Sequence, residues 1–264
     1  MCLLDNGTGE LSSIPNNYCF YGLFSNSPGI TSVSKNFLPA TGLTEDCYVG
    51  MFQGCTSLTT TSTFLPASTL AANCYSSMFS KCTSLTTAPD LPATKLARGC
   101  YSNMFNGCTS LTTAPDLPAT TLASSCYANM FLDCTNLVTP SALPATTLAD
   151  YCYSGMFANC TSLTTTPDLP ATILAPYCYQ FMFLGCSSLT LIRICYTGTV
   201  ADAPAEAFGG WVYLVLTIHG IFFYKGSDTI ANFGLPTGWT IINNVWALPP
   251  SSIIFPEKTA TGIS

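Results

Sequence analysis

Between Cys74 and Cys82, large or sulfur-bearing side chains stand at relative positions 0, 1, 4, 5 and 8, and the positions between them are small or polar. At 100° per residue those five positions span an arc of about 140°, the stripe that a short amphipathic helix buries, so the spacing predicts one here. Positions 2, 3, 6 and 7 then face water, and they hold variable pairs such as Ser76-Ser77, Ser102-Asn103, Ala128-Asn129, Ser154-Gly155 and Gln180-Phe181. Downstream, Thr83-Ser84-Leu85-Thr86-Thr87 is rich in β-branched residues, and a turn at Ala88-Pro89-Asp90 leads to a second extended piece, Leu91 to Leu96. Short extended segments bounded by Pro suit a ladder edge or a turn between coils.

The whole pattern recurs. Its leading Cys falls at Cys19, Cys47, Cys74, Cys100, Cys126, Cys152 and Cys178, and the last four intervals are each 26 residues. Near-identical units at a constant period build a stack in which each unit touches only its neighbours. One short helix plus one or two short strands per unit predicts an α/β repeat solenoid: a leucine-rich-repeat-like stack of about seven coils, with strands in a parallel ladder about 4.8 Å per coil.

The ends depart from the rule, as coils with one neighbour must. The first unit has Phe20, Leu23 and Ser27 where later ones have Tyr, Met and Cys, and the last replaces its Thr-rich strand with Leu189 to Cys195. From Thr199 to Glu206 the chain is small and acidic, and beyond lie aromatic segments and Gly-rich turns. The expected organisation is a lead-in over residues 1–18, a solenoid over 19–195, and a β-rich C-terminal cap and tail over 196–264.

Charge narrows the partners. Only 8% of the residues are charged, the net charge is -6, and seven Lys plus Arg cannot make a basic stripe, so nucleic acid is excluded. No apolar run reaches the roughly 18 residues of a membrane span; the most apolar stretch, Trp211 to Tyr224, is broken by Thr217, His219 and Gly220 and reads as strands. The opening Met1-Cys2-Leu3-Leu4-Asp5 has neither a basic start nor an apolar stretch long enough for a secretory signal.

Fifteen cysteines raise the question of disulfides or metal. Within a unit, two cysteines eight positions apart on a helix would be about 12 Å apart, beyond the disulfide limit of about 7 Å. Helices on neighbouring coils would sit about 8 to 10 Å apart, so the repeat cysteines are expected to be reduced and to act as small hydrophobes. No Cys-x-x-Cys occurs and His219 is the only histidine, so no metal site and no cofactor are expected. The column Asp90, Asp116 and Asp168 is interrupted by Ala142 and reads as a solvated turn rather than a calcium site. Catalysis by a Ser-His or Cys-His pair would have to use His219, which sits in an apolar stretch, and no carboxylate pair stands out; the expectation is a non-catalytic protein.

The Cys-Tyr, Met-Phe and Cys-Thr-Ser-Leu-Thr-Thr blocks, the Leu-Pro-Ala-Thr columns at 91–94, 117–120, 143–146 and 169–172, and the closing Gly234 to Thr240 together resemble the BspA-like leucine-rich repeat proteins of gut Bacteroidales and their phages. The resemblance covers roughly Cys19 to Thr240; Ile241 to Ser264 match nothing in it. It implies a surface or virion-borne binding and adhesion protein, located on a cell surface or a phage particle, with a cell-surface glycan or protein as partner. A structural fibre or virion component that self-associates is the alternative.

Most exposed columns hold Ser, Asn, Gly and Ala, which offer a ligand little area. The later coils differ: Tyr151 and Tyr177 precede the leading Cys, and Gln180 and Phe181 occupy outward positions. The cap adds Trp211, Tyr213, His219, Phe223 and Tyr224. Rings with a polar tip recur at binding hot spots, so these nine residues are the expected binding surface, with sealing of the last coil as the competing role for the cap rings.

Overall fold

The computed structural model describes residues 12–34, 37–61, 65–216, 220–226 and 232–243. Six short strands are present among them: β1 (Ser32–Val33), β2 (Thr60–Thr61), β3 (Thr165–Leu169), β4 (Leu191–Ile194), β5 (Ile221–Tyr224) and β6 (Thr240–Asn243). All pair in parallel, as β1-β2 and as β3-β4-β5-β6. Single parallel bridges such as Thr60 to Thr87, Thr113 to Thr139 and Lys95 to Thr121 tie the intervening coils, so the molecule is a parallel β-solenoid of about seven turns.

The predicted helices are absent: no helix occurs among the described residues, which corrects the α/β assignment to an all-β stack. The Cys-to-Cys segment is instead a chain of overlapping turns. Alternate N–H groups close a turn within the coil, as Cys74 to Ala71, Ser76 to Asn73, Met78 to Tyr75, Ser80 to Ser77 and Cys82 to Phe79. The others cross to the following coil, as Tyr75 to the carbonyl of Cys100, Ser77 to Ser102 and Phe79 to Met104, at 2.8 to 3.0 Å. Every fourth residue is left-handed: Asn73, Ser77 and Lys81 have φ of 50°, 56° and 60°.

The physical reason for the difference is in the period. A turn chain advances its inward pair every four residues, and over nine residues positions 0, 1, 4, 5 and 8 fit that period as well as they fit 3.6. An isolated helix this short is marginal. A left-handed residue in every turn forbids it outright, whereas the ladder satisfies every second N–H against a neighbour.

The buried stripe is therefore the predicted one, on a different backbone. Cys74, Tyr75, Met78, Phe79 and Cys82 are all at most 1% exposed, and the same columns are buried in coil after coil. Tyr rings stack on Tyr rings at 5.8 to 6.1 Å from Tyr48 to Tyr179, and Phe rings on Phe rings at 5.5 to 5.9 Å from Phe24 to Phe183. These centroid distances exceed the strand spacing of about 4.8 Å, as offset stacking requires. On the opposite side Thr hydroxyls continue the ladder: those of Thr59, Thr86 and Thr190 donate to the carbonyls of Thr31, Thr59 and Thr164.

The stack continues past Cys195. Tyr177, Tyr179, Phe181, Phe183 and Gly185 donate to the carbonyls of Ala205, Ala207, Gly209, Trp211 and Tyr213, so Ala207, Phe208, Trp211, Val212 and Val215 fill the five inward columns of one more coil. Trp211 to Leu214 are turns, not the strand expected there. Over this coil sit Phe233, Leu235 and Trp239, with the Trp211 indole N–H donating to the Phe233 carbonyl at 2.8 Å. One core runs from Ile14 to Trp239.

The turn chain makes a prediction of opposite sign to a helix. Gly155 has φ of 61°, and a Cβ there would fall on the Asn129 side-chain oxygen of the preceding coil. In a helix Gly→Ala would stabilise by about 1 kcal/mol. Here Gly155→Ala is expected to destabilise by about 1 to 2 kcal/mol in urea unfolding, from the left-handed backbone and the contact together. Adding Asn129→Gly should restore the contact part only.

Candidate functional site

Three left-handed columns run along the outer edge of the turn chain, at the residue before the leading Cys and four and eight residues later. Gly, Asn and Asp dominate them, as Gly50, Gly54, Asn73, Gly99, Asn103 and Asp133 illustrate, because these tolerate positive φ best. Tyr151, Tyr177 and Phe181 occupy the same columns with φ of 56°, 58° and 54°. A bulky residue held there costs about 1 to 2 kcal/mol. Among the described residues only the first coil's Tyr18 and the last coil's Leu214 are comparably large and apolar at such a position.

The two tyrosines form a pair. Their rings are stacked at 4.5 Å with 4° between planes, tighter than any stack in the interior columns. Tyr151 remains 40% exposed, and its phenol is pushed above the ordinary value, first by partial desolvation and then by Tyr177 and Asp150. Phe181 is 43% exposed and lies over Gly210, where a Cβ would meet its ring at 2.6 Å. Gln180 is half-buried, and its carbonyl accepts from Gly155 at 2.7 Å. Tyr213, on the next coil, is 64% exposed.

The remaining cap rings are interior. Trp211, Phe223 and Tyr224 are buried, so they seal the end of the stack and present no surface. Phe223 lies beneath the Arg193 guanidinium at 5.4 Å, and the Tyr224 hydroxyl donates to the Gly198 carbonyl. His219 lies outside the described residues. Leu214 and Leu216, exposed beside Tyr213, extend the apolar patch and were not singled out in the sequence; the signal for Leu214 was its column, eight residues beyond Glu206.

The inward columns hold chemistry of their own kind. Among the described residues thirteen cysteines are free thiols, twelve of them buried; Cys19, the leading Cys of the first unit, is disulfide-bonded and departs from the reduced state expected of the repeat cysteines. The second Cys of each unit has a specific partner: the thiols of Cys82, Cys108, Cys134, Cys160 and Cys186 donate to the carbonyls of Phe52, Phe79, Phe105, Phe131 and Phe157, at 3.1 to 3.2 Å. Each such carbonyl already accepts a turn bond, as Phe79 does from Cys82, so the thiol from the next coil fills its second lone pair. Burial pushes these thiols up, Cys82 and Cys134 to about 12, which makes them poor nucleophiles. The helix-to-helix distance expected to keep neighbouring cysteines apart does not apply to this ladder; the thiols are nonetheless free, and those of the second column are turned onto Phe carbonyls rather than onto one another.

On the far side, Asp90 and Asp116 are exposed and Asp168 is paired with Arg193 at 3.3 Å. Ser141 takes the place of a column proline and donates to the Pro115 carbonyl at 2.7 Å, beside a groove of about 440 Å³ lined by four prolines that include Pro140 and Pro167. No group of three or more His, Cys, Asp or Glu comes together among the described residues, and no helix among them is long and apolar enough to cross a membrane. Compared with known proteins, the chain matches no family model, no curated protein and no solved structure.

Proposed function

We propose that the protein is a non-catalytic binding and adhesion module that uses the outer edge of its last coils to hold a cell-surface glycan or protein. One observation carries the reading: the exposed rings of Tyr151 and Phe181 and the half-buried ring of Tyr177 sit on left-handed backbone, where the coils from Asp46 to Ser125 have small or polar residues. Strain kept at surface positions that add little to the core is what a binding role accounts for. The rigid ladder holds the rings at fixed spacing, which lowers the entropy lost on binding. The BspA-like resemblance of the repeat supports a place on a cell surface or phage particle.

The test replaces each ring by a residue the same column carries elsewhere: Tyr151→Asn, Tyr177→Asn and Phe181→Gly together. Binding to whole cells and to a glycan array is expected to fall at least about tenfold, while Tm stays level or rises because strain is relieved. A fall in Tm with binding intact would give the rings a structural role and end this reading.

Self-association is the second reading, and the first coil favours it. The carbonyls of Tyr21, Leu23 and Ser25 hold ladder positions with no hydrogen bond among the described residues, and Leu23, in the column of the buried methionines, is 54% exposed. A large apolar side chain exposed at the end of a stack is a surface that a second chain can cover. Concentration-dependent mass by light scattering, abolished by Leu23→Lys, would decide for it.

A further inference from the structure

We propose that the level of the stack immediately before Tyr151 is a subsite for one neutral hexose ring of a glycan, an inference that rests on the binding reading above. The column that carries rings at Tyr151 and Tyr177 carries only Ser125 one level earlier and Gly99 before that. Tyr177 covers one face of Tyr151 at 4.5 Å, and Tyr151 is still 40% exposed, so its open face is the one turned toward Ser125. Levels of a parallel ladder are about 4.8 Å apart, which leaves beside that face a step one ring thick. A third ring seated there would extend the stack that the chain itself begins.

The groups around the step select the kind of ring. Gly99 N–H donates to the Ser124 carbonyl at 3.0 Å and Ser125 N–H to the Asp150 carbonyl at 2.9 Å, so Arg98, Ser124 and Asp150 stand in one column on three consecutive levels. Arg98 and Asp150 are exposed and flank the half-buried hydroxyl-bearing Ser124 and Ser125. A guanidinium, a carboxylate and two hydroxyls offer both donors and acceptors, the set that hydrogen-bonds a ring of hydroxyl groups at its rim. The C–H face of a hexose is the apolar surface that an aromatic ring covers well. Opposite charges on either side give the step no net charge, and the chain as a whole carries -6, which disfavours an anionic ring. A flat aromatic side chain would fill the step but leave Arg98 and Asp150 without rim partners.

The experiment uses free trisaccharides of glucose, galactose, mannose and N-acetylglucosamine, with a uronic acid trimer beside them, and reads saturation transfer by NMR and affinity by calorimetry. At least one neutral trimer is expected to bind, with transfer strongest on the C–H face of one ring. Ser125→Tyr would fill the step with a ring of the chain's own; it is expected to lose that binding at least about tenfold with the fold kept and Tm level or slightly lower, since Tyr151 shows that this left-handed column accepts Tyr at a modest cost in strain. Asp150→Asn should weaken binding several-fold, and Tyr21→Ala, at the other end of the stack, should do nothing. Binding unaffected by Ser125→Tyr, or tighter for the uronic acid trimer, overturns the subsite. Binding to cells that depends on Tyr151 while every trimer fails to bind or compete leaves the adhesion reading standing, refutes the sugar, and points to a protein ligand.

Discussion

Raising the pH is expected to unfold this protein cooperatively between about pH 9 and pH 10.5, because the interior is built from protonated thiols. Burial pushes Cys47 and Cys178 to about 11 and Cys82, Cys100, Cys134 and Cys186 to about 12. In the unfolded chain each would titrate near 8.5. The folded state therefore binds more protons than the unfolded one above that value, and stability falls as pH rises. Nothing is lost below about pH 8.5, and loss continues as pH climbs toward the folded values. At about pH 9.5 each of these six thiols favours the unfolded chain by about 1.4 kcal/mol, so together they remove about 8 kcal/mol, a large part of the 5 to 15 kcal/mol that holds a typical domain together. Circular dichroism and phenolate absorbance followed against pH should change together, since the buried Tyr columns are also pushed up and ionise only on exposure. Replacing Cys82, Cys108, Cys134 and Cys160 by Ser keeps a donor for each Phe carbonyl, removes four titrating groups and should move the midpoint upward. A native spectrum persisting at about pH 11 would refute the account.

The buried columns were legible in the sequence because burial alternates with the repeat, and the repeat is nearly exact. Cys74, Tyr75, Met78, Phe79 and Cys82 were assigned inward correctly on the wrong backbone. The information that separates a turn chain from a helix lay in the outward positions, in the recurrence of Gly, Asn and Asp at every fourth residue: Gly50 and Gly54, Asn103 and Gly107, Asn129 and Asp133, Gly155 and Asn159. A helix has no use for residues that tolerate positive φ, whereas a turn chain needs one per turn. The extra coil at Ala207, Phe208, Trp211, Val212 and Val215 repeats the inward spacing without Cys or Met, so a search for the motif's identities passes over it while its hydrophobic pattern remains. Tyr151, Tyr177 and Phe181 stood out as rings in otherwise small columns and Tyr213 only as one of the cap rings, and the structure leaves Tyr151, Phe181 and Tyr213 well exposed and Tyr177 half-buried. Trp211, Phe223 and Tyr224 could not be told apart from them by composition, because a ring that seals and a ring that binds are the same residue until the neighbouring coil is placed.

Position in the stack should decide what a lost ring costs. Phe105 is fully buried and stacks on Phe79 at 5.8 Å and Phe131 at 5.7 Å, while its carbonyl holds the thiol of Cys134. Phe105→Ala removes both ring contacts and leaves a cavity that the neighbouring coils cannot close without breaking their hydrogen bonds, so about 3 to 5 kcal/mol should be lost. Phe24 is half-buried and rests on Phe52 at 5.6 Å and Phe37 at 6.0 Å at the start of the column, and Phe24→Ala should cost only about 1 to 2 kcal/mol. In a quasi-one-dimensional stack the two losses also differ in kind. Weakening an end frays one coil and leaves the rest cooperative, whereas weakening the middle lets the coils before and after Phe105 unfold separately. Urea unfolding should show a lower midpoint for both variants, with a shallower or two-step transition for Phe105→Ala alone. Equal costs at the two positions, with equal slopes, would mean that stability is spread over the whole chain rather than carried by contacts between adjacent coils.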